Sequence, residues 1–206
     1  MSATAIPLAP PQSVPALPQS QWPRPWLCTR EQYEKLLAAG FFRETQYQLV
    51  RGEIIDMGKE GPRHFSVVDL AVEVLRGVFG PGFFVRNAGP LGFGNSQPEP
   101  DVAVVRGSRL DYLNAHPATA LLAVEVAETS LSYDTTTKAE LYASAGIADS
   151  WVLDLVGRQL HVFRDPQLIP TLEIATYQTH RTLGPTDTVS PLAAPNATVR
   201  VADLLP

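Results

Sequence analysis

Apolar and polar positions alternate along the chain in two rhythms, one of strands and one of helices. The most apolar stretch is Leu121 to Val126, of strand length and broken only by Glu125. A run of this kind suits a strand covered on both faces. Asp101–Val105 is a second such run, opened by its acid. Period-two patterning also predicts strands at Tyr47–Val50 and Glu53–Met57, joined at Arg51-Gly52, and at Phe83–Arg86 and Leu91–Phe93. Ser150–Leu155 and Gln159–Arg164 read as a hairpin turning at Val156-Gly157-Arg158, followed by Thr171–Tyr177 and Thr198–Val201.

The helical rhythm appears three times. Thr29-Arg30-Glu31-Gln32 fits a capping box, a hydroxyl followed three residues on by glutamine, and opens a helix to about Ala39 that Gly40 ends. From about Arg63 to Phe79, after the break at Gly61-Pro62, Val67, Ala71, Val74, Leu75 and Val78 share one face. From Asp134 to Ala145, closed by Gly146, Leu141, Tyr142 and Ala145 fall three, four and seven residues after Lys138. Lys138 therefore shares the apolar face and is expected to point inward. A helical turn is expected at Ser108–Asn114. Strands flanked by helices predict an α/β or α+β sandwich with a mixed sheet.

Composition adjusts this picture at the ends. The 206 residues suffice for one domain with a real core. Residues 1–26 carry seven prolines, which fix φ and remove backbone donors. They are expected to form an arm that docks, if at all, through Trp22 and Trp26, leaving 27–206 as a single domain. A net charge of −5 and a pI near 5.3 exclude a protein that coats nucleic acid non-specifically, though not one with a local basic groove. The single cysteine, Cys28, excludes an intramolecular disulfide and a cysteine-based zinc site. With no apolar run of membrane-spanning length and no basic start followed by an apolar core, the expectation is a soluble cytoplasmic protein.

The chemistry centres on Glu125. A carboxylate in a buried strand is costly unless a cation or a set of donors meets it. Asp101 lies on a neighbouring strand, and Lys138 comes from the helix that follows. Magnesium takes oxygen ligands in octahedral geometry and keeps several waters, so two carboxylates suffice to anchor it. The ion makes hydroxide accessible near neutral pH, and an ammonium nearby can orient water or offset charge in the transition state. The same three residues also admit a structural reading, in which Asp101 caps a strand, Glu125 pairs with an arginine and Lys138 snorkels. His64, in the first turn of its helix, reads as a surface or capping residue. The histidines at 64, 116, 161 and 180 show no metal-ligand spacing. A Gly-x-Ser-x-Gly elbow is absent. Gly89, Gly92 and Gly94 are followed by neither Lys-Ser/Thr nor a helix start, which excludes a phosphate loop. Cys28 has no evident base.

One ordered series of residues carries a further likeness: Tyr47-Gln48-Leu49-Val50-Arg51-Gly52-Glu53, His64 at the head of a helix, Pro100-Asp101, Val124-Glu125-Val126, Ser130, Asp134, Lys138, Tyr142 to Ile147, and Asp149 to Asp154. Over residues 28–165, and more weakly to the end, the chain resembles the Uma2 family, also called DUF820, of inferred endonucleases within the PD-(D/E)XK nuclease superfamily. The resemblance implies a restriction-endonuclease-like core, a central mixed β-sheet with flanking helices, and a divalent metal, Mg²⁺ or Mn²⁺. Asp101 matches the acid of the Pro-Asp motif and Glu125 the acid of the next motif; both are implied metal ligands. The superfamily lysine stands two residues after that acid, where this chain has Ala127; Lys138 matches the helical place it takes in this family. The family has Glu after the first tyrosine, and here the residue is Gln48. Either Glu53 carries the acidic role of that hairpin or the role is absent. DNA is the implied substrate and a homodimer the implied assembly. The expectation is a metal-dependent endonuclease using Asp101, Glu125, Lys138 and Glu53. Two alternatives stay open: a catalytically weak or inactive nuclease-fold module that serves oligomerisation or partner binding, and a metal hydrolase of small phosphoesters.

Overall fold

A computed structural model describes residues 23–43, 45–171 and 174–205. Its centre is a six-stranded sheet in the order β3-β4-β5-β6-β7-β8. The strands are β3 (Phe83–Asn87), β4 (Val102–Arg106), β5 (Leu122–Ala127), β6 (Asp149–Asp154), β7 (Gln159–Ile169) and β8 (Ile174–Leu183). All neighbours are antiparallel except β5 and β6. A parallel pair needs a crossover. Here the crossover is a helical segment made of α3 (Leu131–Tyr133), a π-helical turn (Asp134–Lys138) and α4 (Ala139–Ser144).

β5 is buried along its whole length, as its apolar run requires. Leu122, Val124 and Val126 face α2 (Pro62–Val78), whose Val67, Ala71 and Leu75 belong to the same core cluster. Ala123 and Ala127 face the other side, where the crossover packs through Tyr142 and Ala139. Glu125 lies between these alanines and so meets the crossover.

A separate hairpin, β1 (Gln46–Val50) and β2 (Glu53–Gly58), stands beside the sheet. Its two-residue loop has positive φ at both Arg51 (52°) and Gly52 (87°), the combination that tight hairpin turns favour. A Cβ at Gly52 would meet Leu27 at 2.8 Å, so glycine is required twice over there. The helix α1 (Arg30–Ala38) packs on this hairpin through Tyr33 and Leu49, and its capping box from Thr29 and Gln32 is formed on both sides. The small pair β9 (Thr188–Val189) and β10 (Val199–Arg200) closes the chain.

Three expectations are corrected. Leu91–Phe93 is not a strand: Gly89, Pro90, Gly92 and Gly94 break any ladder, and only an isolated Phe93–Ser96 bridge forms, although Leu91 is buried. The strand expected at Thr171–Tyr177 is β8, which begins at Ile174 and extends to Leu183, because it is an edge strand whose polar half needs no apolar alternation. The crossover helix begins at Leu131, not at Asp134. Of the expected arm, residues 1–22 lie outside the described residues; 23–26 have no regular structure, and Trp26 is exposed. Among the described residues no helix is long and apolar enough to cross a membrane.

Candidate active site

Asp101 sits one residue before β4. Pro98 and Pro100 restrict the approach, and the last β4–β5 pair is Val102 with Val124. The backbone N–H of Val126 lies beyond that pair, and Asp101 Oδ2 accepts it at 2.6 Å. This bond fixes the carboxylate and turns Oδ1 toward α2, where His64 Nε2 lies 3.1 Å away. Glu60 Oε2, from the loop before α2, lies 3.0 Å from the same nitrogen. His64 is therefore buried against acids, not the surface or capping residue that its place in the first turn suggests.

On β5, both oxygens of Glu125 are engaged. Oε2 accepts from Lys138 Nζ at 2.8 Å, and Oε1 accepts a short bond from the Tyr142 hydroxyl. Asp134 Oδ1 stands 3.9 Å from the ammonium, and its other oxygen accepts from Ser130 Oγ at 2.5 Å. The π turn makes this possible. Thr135 and Thr136 bond back to the carbonyls of Leu131 and Ser132, competing with the α-helical ladder. The Ala139 N–H reaches back to Asp134 O, the wider spacing of a π turn. Asp134 and Lys138 are both buried as a result.

Burial and crowded charge set the protonation of these groups. Burial pushes the Glu125 carboxyl up to about 8, against the opposing pull of the Lys138 ammonium. Burial alone would lower Lys138, but Glu125, Asp134 and Asp101 outweigh it and hold the ammonium charged. Burial also raises Asp134. Glu60 is raised by burial and then by Asp101. Burial works to lower His64; the bond and charge of Asp101, with Glu60, reverse that and raise it. Tyr142 lies far above its ordinary range, through burial and then Glu125.

A cavity of about 110 Å³ joins the two groups. Asp101, Glu125, Lys138, Glu60, His64 and Gln48 all line it. Gln48 is buried, its Nε2 donates to the Glu99 carbonyl at 3.2 Å, and its Oε1 has no hydrogen-bond partner among the described residues. The carbonyl acceptor fixes which end of the amide is the nitrogen. Carboxylates thus outnumber the cations around the space, and an orphaned amide oxygen adds to them. Oxygen donors gathered with excess negative charge suit a divalent cation.

Of the residues expected to act, Asp101, Glu125 and Lys138 are brought together. Glu53 is not: it is exposed at the start of β2, beside the hairpin turn, and does not line the cavity. Glu125 pairs with Lys138, not with an arginine. Sequence reasoning singled out His64 without burying it, and gave no reason to bring Glu60 to the cavity or to tie Tyr142 to Glu125. Glu60 and His64 are four residues apart, but Gly61-Pro62 separates them, so helical spacing gave no reason to pair them. Tyr142, four residues after Lys138, read as core.

The Uma2 family model, described as "Putative restriction endonuclease", matches residues 30–202. A solved structure from Anabaena variabilis, described as "a putative nuclease belonging to DUF820", superposes with a TM-score of 0.64, covering 85% of this chain and 96% of that one at 18% identity. At that identity the likeness bears on the fold, and it agrees with the helix-flanked mixed sheet. No protein of curated function matches the chain.

Proposed function

Because this chain belongs to the Uma2 family, we propose that it is a divalent-metal-dependent endonuclease that hydrolyses nucleic-acid phosphodiesters. The observation that carries this reading is the convergence of Asp101, Glu125 and Lys138 on one cavity from β4, β5 and the crossover. Asp101 and Glu125 would hold Mg²⁺ or Mn²⁺. When bound, the ion supplies an acidified water and offsets charge that develops on phosphorus.

The protein's own groups do the rest. The Val126 N–H keeps one Asp101 oxygen fixed and leaves the other to face the cavity. Tyr142 holds Glu125 from the side away from Lys138. Lys138 keeps its proton in the crowd of carboxylates, so it presents a permanent ammonium to a phosphate or to an attacking water. Burial on an α/β framework keeps these positions rigid. A homodimer belongs to the same proposal and is read by analytical sedimentation.

The test is cleavage of plasmid and single-stranded DNA with Mn²⁺ or Mg²⁺, against chelator, by wild type, Asp101→Ala and Lys138→Ala, each shown to be folded by circular dichroism. Cleavage should need the ion, vanish in Asp101→Ala, and fall by roughly 10²–10³ in Lys138→Ala, the scale for losing one electrostatic donor. Full activity in either folded variant would remove these assignments. A second reading, an inactive module on a nuclease fold, is favoured by one feature: Gln48 puts a neutral amide where the family has an acid. That reading predicts ion binding or DNA binding without cleavage under any of these conditions.

A further inference from the structure

The cation-binding reading of this cavity leaves open which donors meet the ion, and the structure offers an answer beyond the two motif acids. His64 Nε2 lies 3.0 Å from Glu60 Oε2 and 3.1 Å from Asp101 Oδ1. The three donor atoms all lie within 4.8 Å of one another. Two ligands about 2.1 Å from one ion and at right angles to each other are about 3 Å apart. The imidazole and the two carboxylates already have that spacing. They come from three places, the loop before α2, α2 itself and the start of β4, with His64 buried and the two acids half-buried. His64 is 5% exposed, Asp101 is tied to Val126, and Gln48, whose Oε1 has no hydrogen-bond partner among the described residues, lines the same cavity. Glu125 stands apart from this trio, with both oxygens occupied by Lys138 and Tyr142.

We propose that Glu60, His64 and Asp101 form a mixed nitrogen–oxygen ligand set, and that the cavity selects a first-row transition ion such as Mn²⁺, Fe²⁺, Co²⁺ or Zn²⁺ over Mg²⁺. The inference rests on the cation-binding reading above and adds the ligand and the class of ion. Magnesium prefers an all-oxygen, largely hydrated shell, so an imidazole gains it little. Transition ions take imidazole nitrogen readily and bind a given nitrogen–oxygen site more tightly.

The test uses the full chain with Mn²⁺ as the probe. Pulsed electron paramagnetic resonance should show ¹⁴N coupling from an imidazole on bound Mn²⁺, and calorimetry should give a Kd at least roughly tenfold tighter for Mn²⁺ than for Mg²⁺. His64→Gln should abolish the nitrogen coupling and bring the two affinities together. Glu60→Gln should weaken Mn²⁺ binding and keep the coupling. An oxygen-only spectrum in wild type, or equal affinities for the two ions, overturns the inference; the wild-type spectrum decides even if His64→Gln does not fold. The nuclease reading fails separately. A nitrogen-ligated ion with no DNA cleavage keeps this inference and removes that reading. Cleavage supported equally by Mg²⁺ and retained in His64→Gln does the reverse.

Discussion

Raising the pH should destabilise this protein when no divalent ion is present, and Glu125 sets the size of the effect. Its ordinary value is 4.5 and burial lifts it to about 8 in the folded chain. A folded-state value above the unfolded one means that the folded state binds the extra proton. The associated stability is fully present below pH 4.5 and is lost as the pH rises through about 8. Each unit of that interval is worth about 1.4 kcal/mol, so Glu125 alone accounts for at most about 5 kcal/mol. Folding free energies are about 5–15 kcal/mol, so the loss is a large fraction of the total. Glu60, Asp134 and His64 are raised as well and act in the same sense. Urea unfolding in EDTA, from about pH 5 to about pH 8.5, reads the slope directly. Glu125→Gln keeps the shape, removes the titration and should flatten most of the dependence. Saturating Mn²⁺ should reduce it too, since an ion in the cavity displaces protons from Glu60 and His64 and opposes protonation of Glu125. Stability that stays level or rises over this range in wild type, or an unchanged slope in Glu125→Gln, refutes the reasoning.

Two further outcomes test the fold away from the cavity. Asp149 is fully buried and accepts from Trp151 Nε1, Arg164 Nε and the Leu192 N–H, at 2.9, 2.9 and 2.8 Å. Asp149→Ala leaves these donors, one of them cationic, without their acceptor, and should cost about 3–5 kcal/mol in chemical denaturation, with a loss under about 1 kcal/mol contradicting the account. His161 and His180 pair at 3.1 Å across β7 and β8, and burial lowers both, His180 also lowering His161. Their depressed values mean that the unfolded chain takes protons first, so the stability they contribute is present above pH 6.5 and is lost as the pH falls below it. A His161→Gln/His180→Gln variant should therefore gain more melting temperature than wild type as the pH falls from about 7 to about 5.

Some of this was legible in the sequence because the causes are local. The Thr29 capping box and the Arg51-Gly52 turn depend on residues within four positions of one another, and both formed as read. Glu125 was conspicuous as the only polar residue in an apolar strand, and the spacing of Leu141 and Tyr142 was enough to turn Lys138 inward. The remaining features depend on distance or on competition. His64 is buried because β4 brings Asp101 against it across 37 positions, which no local pattern encodes. The π turn arises where threonine hydroxyls compete with the backbone, and Asp134 becomes buried only through it. The outer half of β8 is paired through its backbone, so its side chains carry no strand pattern. Glu53 has the right chemistry and falls at the wrong end of its hairpin.

The proposed function requires that the cavity between Asp101 and Glu125 bind a divalent cation. Thermal melting of wild type and of Asp101→Ala/Glu125→Ala, in Mn²⁺, Mg²⁺ or EDTA, tests it most directly. An ion at about 100 times its Kd stabilises the native state by about 2.7 kcal/mol, a rise of roughly 5–10 °C for a chain of this size. That rise is expected in wild type and is lost in the double variant. No rise in wild type at millimolar ion, or an equal rise in the double variant, would contradict it.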